Sequence, residues 1–338
     1  MEEIILTVII PVYKVEEYID ACLSSLLRSG EDDRTLPMEV LVINDGTPDG
    51  SADVARRYQA KFPSVVKVID KENGGHGSAW NVGLAMARGR YILFLDSDDM
   101  VAAPGRLLDF LKKTDADLVL TDKMEFMDGT TRAWKVRKSF PPAGKVIDLD
   151  SEPWPYDLKF PHFHTCVYKR GLLEPVFSEK TSYDDILLFG LPAAKARTCV
   201  YAGFPLYIYR LGRPGQTMDK AVLQAGMEKQ IAQRKYMLRS VSGFAGDAGG
   251  AVSAAKAALV KSIVKDSCKA QYYYIAGLPE PLRSRLTGQW TEYVRDNVPY
   301  WKEIAEVRLW GGKPYAVYRM LLKIRNLFIK LKRATKGV

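Results

Sequence analysis

Apolar residues fall in short runs through the first third of the chain. Thr7-Val8-Ile9-Ile10 reads as a buried strand, broken by Pro11. Glu39-Val40-Leu41-Val42-Ile43, Val65-Val66-Lys67-Val68-Ile69 and Tyr91-Ile92-Leu93-Phe94-Leu95 read the same way. Between these runs the spacing turns helical. Over Glu16–Leu27, residues Tyr18, Ile19, Cys22, Leu23 and Leu26 share one side. Asp49-Gly50-Ser51 opens a helix through Ala60, with Ser51 a candidate cap, and a helix over Ala79–Ala87 follows the loop Asn73-Gly74-Gly75-His76-Gly77-Ser78. Strand and helix alternate in this way when a mostly parallel, Rossmann-like sheet is flanked by helices on both faces. After Leu118-Val119-Leu120 the pattern becomes irregular, to about Tyr209. Beyond Val222 it turns helical, Ala-rich over Val252–Val264, with a loop expected at Gly243–Gly250.

The fourth apolar run ends in Asp96-Ser97-Asp98-Asp99. Three carboxylates at a strand end repel one another unless a cation sits among them. Hard divalent cations take oxygen ligands, and Mg²⁺ typically uses one or two carboxylates together with substrate phosphates. Asp45, after the second run, lies at an equivalent strand end, so it can converge with Asp96 and Asp98 on one ligand. Asn44-Asp45-Gly46 is also turn chemistry in its own right.

Composition narrows the class. Of 338 residues, 47% are hydrophobic and 26% charged, as in ordinary globular proteins. Cys22, Cys166, Cys199 and Cys268 are scattered and form no CxxC, which suggests reduced thiols in a cytosolic protein. Met1-Glu2-Glu3 is unlike a signal peptide, and no uninterrupted apolar stretch has membrane-spanning length. The net charge of +9 is concentrated at the end: Lys313, Arg319, Lys323, Arg325, Lys330, Lys332, Arg333 and Lys336 occur with no acid among them. The rest is close to neutral, which argues against a general nucleic-acid-binding surface.

Six motifs in order resemble those of a family 2 glycosyltransferase with the GT-A fold. They are Ile9-Ile10-Pro11-Val12-Tyr13, Val42 through Ser51, Asn73-Gly74-Gly75 with Trp80-Asn81-Val82-Gly83, Phe94 through Asp99, Ser182-Tyr183-Asp184-Asp185, and Pro205 through Arg210. The resemblance covers about the first 215 residues. It implies a catalytic domain over 1–220, with a nucleotide-binding half (1–120) and an acceptor-binding half (121–220). Residues 221–338 would then form a helical C-terminal region.

The resemblance also implies roles. Pro11, Val12 and Tyr13 would line the base and ribose of a nucleoside-diphosphate sugar. Asp45 would accept a hydrogen bond from the base, which suits uracil or thymine. Gly75 and Asn81 would border the donor. Asp98 would hold Mg²⁺ or Mn²⁺, with Asp96 nearer the ribose or the metal's waters and Asp99 beside them. Asp185 would be the catalytic base of an inverting transfer to a glycan or lipid-linked acceptor. The family usually has Glu where this chain has Asp184. Arg210 and Arg213 fall where the family often brings basic or polar residues to the diphosphate.

Other readings attach to single features. The Gly74–Gly77 loop resembles a phosphate cradle ahead of a helix, but lacks both the dinucleotide fingerprint and the P-loop pattern; His76 stands in it. His162 and His164 flank Phe163, and on a strand both would share one face. They lack the further ligands of a zinc site, and a position near the acceptor site, with one of the two approaching the donor metal or phosphates, suits them better. Asp184 or Asp185 could simply cap the helix that Ile186-Leu187-Leu188-Phe189 begins.

At the C-terminus, Arg319, Lys323, Asn326, Lys330 and Arg333 form one helical stripe opposite Val317, Leu321, Ile324, Phe328 and Leu331. A basic amphipathic helix of this kind suits peripheral contact with the inner face of the cell membrane. Two rival functions share the acidic site: a nucleotidyltransferase or phosphatase, and a non-catalytic sugar-nucleotide-binding module at the membrane. Sugar, linkage and oligomeric state are left open by the sequence.

Overall fold

The fold is described from a computed structural model, for residues 3–27, 36–130, 133–136, 142–153, 163–177, 179, 185–213, 220–246, 253–299 and 301–304. Each apolar run becomes a strand: β1 (Leu6–Val12), β2 (Met38–Asn44), β3 (Val66–Asp70) and β4 (Tyr91–Phe94). They pair in parallel in the order β3-β2-β1-β4. Every residue of β1 and β2 is buried, as expected of strands covered on both faces.

The pleat sorts these side chains into two layers. Leu6, Val8, Ile10 and Val12 of β1 join Tyr91 and Leu93 of β4 in one core. Helices α1 (Ile19–Leu26), α2 (Ser51–Lys61) and α4 (Pro104–Leu111) cover it with Ile19, Leu23, Val54, Leu107 and Leu111. Ile9 faces the other way, toward α3 (His76–Met86). There a Cβ on Gly83 would lie 2.4 Å from the Ile9 Cγ2. Glycine therefore lets α3 lie close against the sheet, and its N-terminus reaches the carboxyl ends of the strands.

The other half of the sheet is antiparallel in part. Strand β5 (Met100–Val101) follows the acidic turn. Then come β6 (Leu118–Met127), β7 (Ala133–Val136), β8 (Val146–Asp148), β9 (Cys166–Lys169) and β10 (Thr198–Leu211). Strand β9 runs antiparallel between β4 and β6, and β10 runs parallel to β6 with register shifts between Tyr201 and Tyr207. The stretch that reads as irregular thus supplies two of the longest strands. Its alternation is broken by the bulge, where Gly203 has φ 81°.

Helix α5 (Asp185–Lys195) leads into β10, and α6 (Lys220–Gly246) packs on it, with Gly190 close to Met237. Helix α6 extends through Gly243–Gly246, where a loop was expected; residues 247–250 lie outside the described set. Helix α7 (Ala254–Ala276) carries Lys256 in its first turn, and the buried Lys256 ammonium donates to the Ala196 carbonyl just after α5.

The chain divides into two compact units, Met1–Val264 and Lys265–Val338. In the second, α8 (Leu282–Asn297) buries Trp290, whose indole N–H donates to the Cys268 carbonyl at 3.3 Å. The amphipathic segment 317–333, with its basic stripe from Arg319 to Arg333, lies outside the described residues. No helix among the described residues is long and apolar enough to cross a membrane.

Candidate active site

The acidic turn is built by its neighbours. The Asp96 amide donates to the Tyr207 hydroxyl at 3.1 Å, the Asp99 amide donates to the Asp96 carbonyl at 3.0 Å, and the Cys22 thiol reaches the same carbonyl at 3.7 Å. Each carboxylate then meets a different partner. Asp96 lies between two imidazoles, His76 Nε2 at 3.2 Å from Oδ1 and His164 Nε2 at 3.5 Å from Oδ2. Asp98 pairs with the Arg213 guanidinium. Asp99, almost wholly buried, accepts from the Tyr207 hydroxyl at 2.9 Å and from the Arg210 amide at 2.7 Å.

These surroundings split two of the chemically identical groups. Burial would raise the Asp96 carboxyl, but hydrogen bonds from His164 and His76 and their charge outweigh it and hold the pKa well below the usual range. Asp99 moves the opposite way: burial raises it first, and the charges of Asp98 and Asp96 raise it further. Burial and the charges of Asp96 and Asp99 push up the Tyr207 hydroxyl, which therefore stays a hydrogen-bond donor at neutral pH.

Aromatic rings fix the imidazoles. His76 packs on Trp80 at 4.0 Å, and Trp80 meets Phe94, Phe163 and Phe177 edge-on at 5.2–5.5 Å. His164 lies 3.9 Å from the Phe163 ring, 4.7 Å from Tyr207 and 4.9 Å from Tyr209. The expected strand alternation of His162 and His164 is not found. Phe163–Thr165 is a single 3₁₀ turn ahead of β9, which aims His164 at the acidic turn, and His162 lies outside the described residues.

At the end of β2, the buried Asp45 carboxylate accepts from Lys71 Nζ at 2.6 Å and from the amides of Gly74 and Gly75 at 2.8 Å each. It thereby holds the glycine loop at the mouth of α3. Gly75 has φ 86°, and α3 starts at His76 rather than at Ala79. The Asn81 amide donates to the Phe177 carbonyl at 2.8 Å and accepts the Phe177 N–H at 3.2 Å. Ser51 is the first residue of α2, not its cap. Its hydroxyl donates to Asp49 at 2.6 Å and accepts the Val15 N–H at 3.0 Å, which ties the exit of β1 to the loop after β2. Pro11 and Val12 are the last residues of β1, and Tyr13 beyond them is 45% exposed.

Arg210 is heavily engaged. Its Nε donates to the Asp98 carbonyl at 2.8 Å and its Nη1 to Asp128 at 2.6 Å, with the guanidinium over Tyr18 and Phe126 at 4.9 and 4.7 Å. Arg213 also stands over Tyr18, at 5.4 Å. Tyr18, Lys71, Asp128 and Tyr207 gave no functional signal in the sequence. Tyr207 sits within a motif whose spacing could have raised it, but its partner Asp99 is 108 positions away. Asp185 is the first residue of α5; its side chain and all of Asp184 lie outside the described residues.

Ligand atoms of Asp96, Asp99 and His164 lie within 4.8 Å of one another. Two carboxylates and an imidazole in that span fit a divalent cation.

The comparisons agree with this architecture. The model of glycosyl transferase family 2 matches residues 7–177, just over half of the chain. EpsJ of Bacillus subtilis is 40% identical over 117 residues, which is 34% of this chain and 33% of that protein. EpsH of the same organism is 29% identical over 251 residues, 67% of each chain. A Bacillus spizizenii poly(ribitol-phosphate) beta-glucosyltransferase is 34% identical over 122 residues, 34% of this chain and 18% of that protein. The matched segments thus span a third or less of two of these three relatives. Among solved structures, S. aureus TarS residues 1–349 superimposes with a TM-score of 0.51 at 19% identity, covering 91% of this chain and 92% of that one. The central sheet flanked by helices is the GT-A fold, and the chain belongs to glycosyl transferase family 2.

Proposed function

We propose that this protein transfers a sugar from a nucleoside-diphosphate sugar, UDP-linked by our reading, to a hydroxyl of a glycan or lipid-linked acceptor in cell-surface polysaccharide synthesis. The observation that carries the reading is that Asp45 follows β2, and Asp96 and Asp98 follow β4, at the same carboxyl end of a parallel sheet in a family 2 chain. TarS 1–349 has been solved with UDP-GlcNAc, and relatives include a minor teichoic acid biosynthesis protein and the poly(ribitol-phosphate) beta-glucosyltransferase. These support a nucleotide-sugar donor and a surface-polymer setting.

The residue roles are those that the family resemblance implies. Pro11, Val12 and Tyr13 line the base and ribose, and Asp45 reads the base from the loop it anchors. Asp98 and Asp96 hold Mg²⁺ or Mn²⁺, which when bound neutralises charge on the departing diphosphate. Arg210 and Arg213 border that diphosphate. Asp185 takes the proton from the acceptor hydroxyl, and attack on the face opposite the leaving group inverts the anomeric carbon. The catalytic domain extends over 1–220, and the basic stripe beyond 313 holds the protein at the inner membrane face.

Nucleoside-diphosphate release tests the reading, with a panel of UDP-, dTDP-, GDP- and CMP-sugars and a lipid-linked acceptor. Acceptor-stimulated release with one nucleotide class, lost in Asp185→Asn, is the expected result. Turnover of a nucleoside triphosphate or phosphomonoester without a sugar acceptor would favour the nucleotidyltransferase or phosphatase reading.

A further inference from the structure

We propose that His164 is a nitrogen ligand of the divalent cation, making the site a mixed nitrogen and oxygen site that prefers Mn²⁺ over Mg²⁺. This rests on the metal-dependent reading above and adds a ligand from outside the acidic turn.

Three observations carry it. First, the His164 Nε2 stands 3.5 Å from the Asp96 Oδ2, and ligand atoms of His164, Asp96 and Asp99 all fall within 4.8 Å of one another. Second, the imidazole is built in place. His164 is 9% exposed, its ring is held by Phe163, Tyr207 and Tyr209, and its turn runs into β9, which pairs with both β4 and β6. A ligand presented from the sheet in a fixed orientation meets the requirement for a preorganised site. Third, the two imidazoles at Asp96 are not equivalent. The His76 side chain is 39% exposed and stands outside the group of three, at the opposite carboxylate oxygen. His76 is therefore a positioning residue that orients Asp96 by hydrogen bonding, as second partners of metal ligands do.

The consequence is selectivity. Mg²⁺ prefers all-oxygen octahedral sites and keeps its waters, whereas Mn²⁺, a transition-metal ion, accepts an imidazole ligand more readily than Mg²⁺ does. Asp98, paired with Arg213, remains available as an oxygen ligand once that pair opens.

The test is pulsed electron paramagnetic resonance (three-pulse ESEEM) of the full chain with bound Mn²⁺ and no donor. Modulation from a directly bound ¹⁴N is expected in the wild type, converted to the ¹⁵N pattern by ¹⁵N-histidine labelling. It should vanish in His164→Gln and persist in His76→Gln and His162→Gln. In His164→Gln the preference for Mn²⁺ over Mg²⁺ should fall by about tenfold or more. The labelled wild type reports on histidine ligation even if a variant folds poorly. Bound Mn²⁺ without nitrogen modulation, or modulation lost only in His76→Gln or His162→Gln, overturns the assignment and leaves the metal reading standing. No bound Mn²⁺ at all, with or without a nucleoside diphosphate, overturns both.

Discussion

The Tyr207 hydroxyl donates to the buried Asp99 carboxylate at 2.9 Å while accepting the Asp96 amide at 3.1 Å. One phenol from β10 thus closes both ends of the acidic turn that follows β4. The rigidity of the candidate site depends on this link between distant parts of the chain. Tyr207→Phe keeps the ring but leaves a buried carboxylate oxygen and an amide without their partner. It is expected to destabilise the protein by about 1–3 kcal/mol. Urea unfolding measures this, and a loss smaller than the experimental error would show that the turn holds itself.

Lys71 and Asp45 form a buried pair, with side chains 16% and 4% exposed. Removing one partner of a buried pair strands the other charge. Lys71→Met should therefore cost about 3 kcal/mol, the lower end of the range for such a change. The same variant should loosen the Gly74–Gly75 loop, read as faster amide exchange there than in the wild type. Unchanged exchange at Gly74 and Gly75 would mean that their bonds to Asp45 suffice alone.

Asp70 lies at the end of β3, far along the sheet from the acidic turn. A hydrogen bond from Asn44 lowers its pKa first, and Arg56 lowers it further, against the opposing effect of burial. A carboxyl depressed on folding contributes stability that is present above its unfolded pKa and lost as pH falls through the folded one. Asp70→Asn should therefore be less stable than the wild type at neutral pH, with the gap closing below about pH 3.9. Because the side chain is 58% exposed, the gap should stay within about 1 kcal/mol. A gap that widens on acidification would reverse the sign of the argument.

Arg213 neutralises Asp98 in the structure. If Asp98 holds the cation, the two compete for one carboxylate. Arg213→Gln should bind Mn²⁺ more tightly than the wild type in the absence of donor, by several-fold, and bind the nucleoside diphosphate more weakly. Calorimetric titrations of each ligand separate these opposite effects. Weaker Mn²⁺ binding in the variant would show that Arg213 supports the metal site rather than competing for it.

The parallel half of the fold was legible because strands buried on both faces are dominated by apolar residues, with Thr7, Glu39 and Asn44 the buried exceptions in β1 and β2. Leu6–Val12, Met38–Asn44 and Tyr91–Phe94 have no polar face to obscure them. The acidic turn was legible for the same reason, since three carboxylates after such a run stand out. Strands β6 and β10 were not. Tyr207, Tyr209 and Arg210 of β10 face the acidic turn or His164, and the bulge around Gly203 breaks the alternation that would mark β10 as a strand. His164 was misread as a strand residue because nothing in Phe163-His164-Thr165 distinguishes a 3₁₀ turn from an extended segment. The start of α3 was missed because Gly74, Gly75 and Gly77 look like loop, whereas Asp45, just after β2, anchors the Gly74 and Gly75 amides. Pairings such as Tyr207 with Asp99 arise from tertiary structure and leave no local trace.

The most direct test of the central claim is thermal unfolding with nucleotide sugars, with and without Mn²⁺, comparing the wild type with Asp98→Ala. The account predicts that UDP-sugars raise the wild-type Tm only when Mn²⁺ is present, and that Asp98→Ala abolishes the shift while its ligand-free Tm stays close to that of the wild type. An equal shift without metal, or one that survives in Asp98→Ala, would contradict a cation at this turn as the holder of the donor diphosphate.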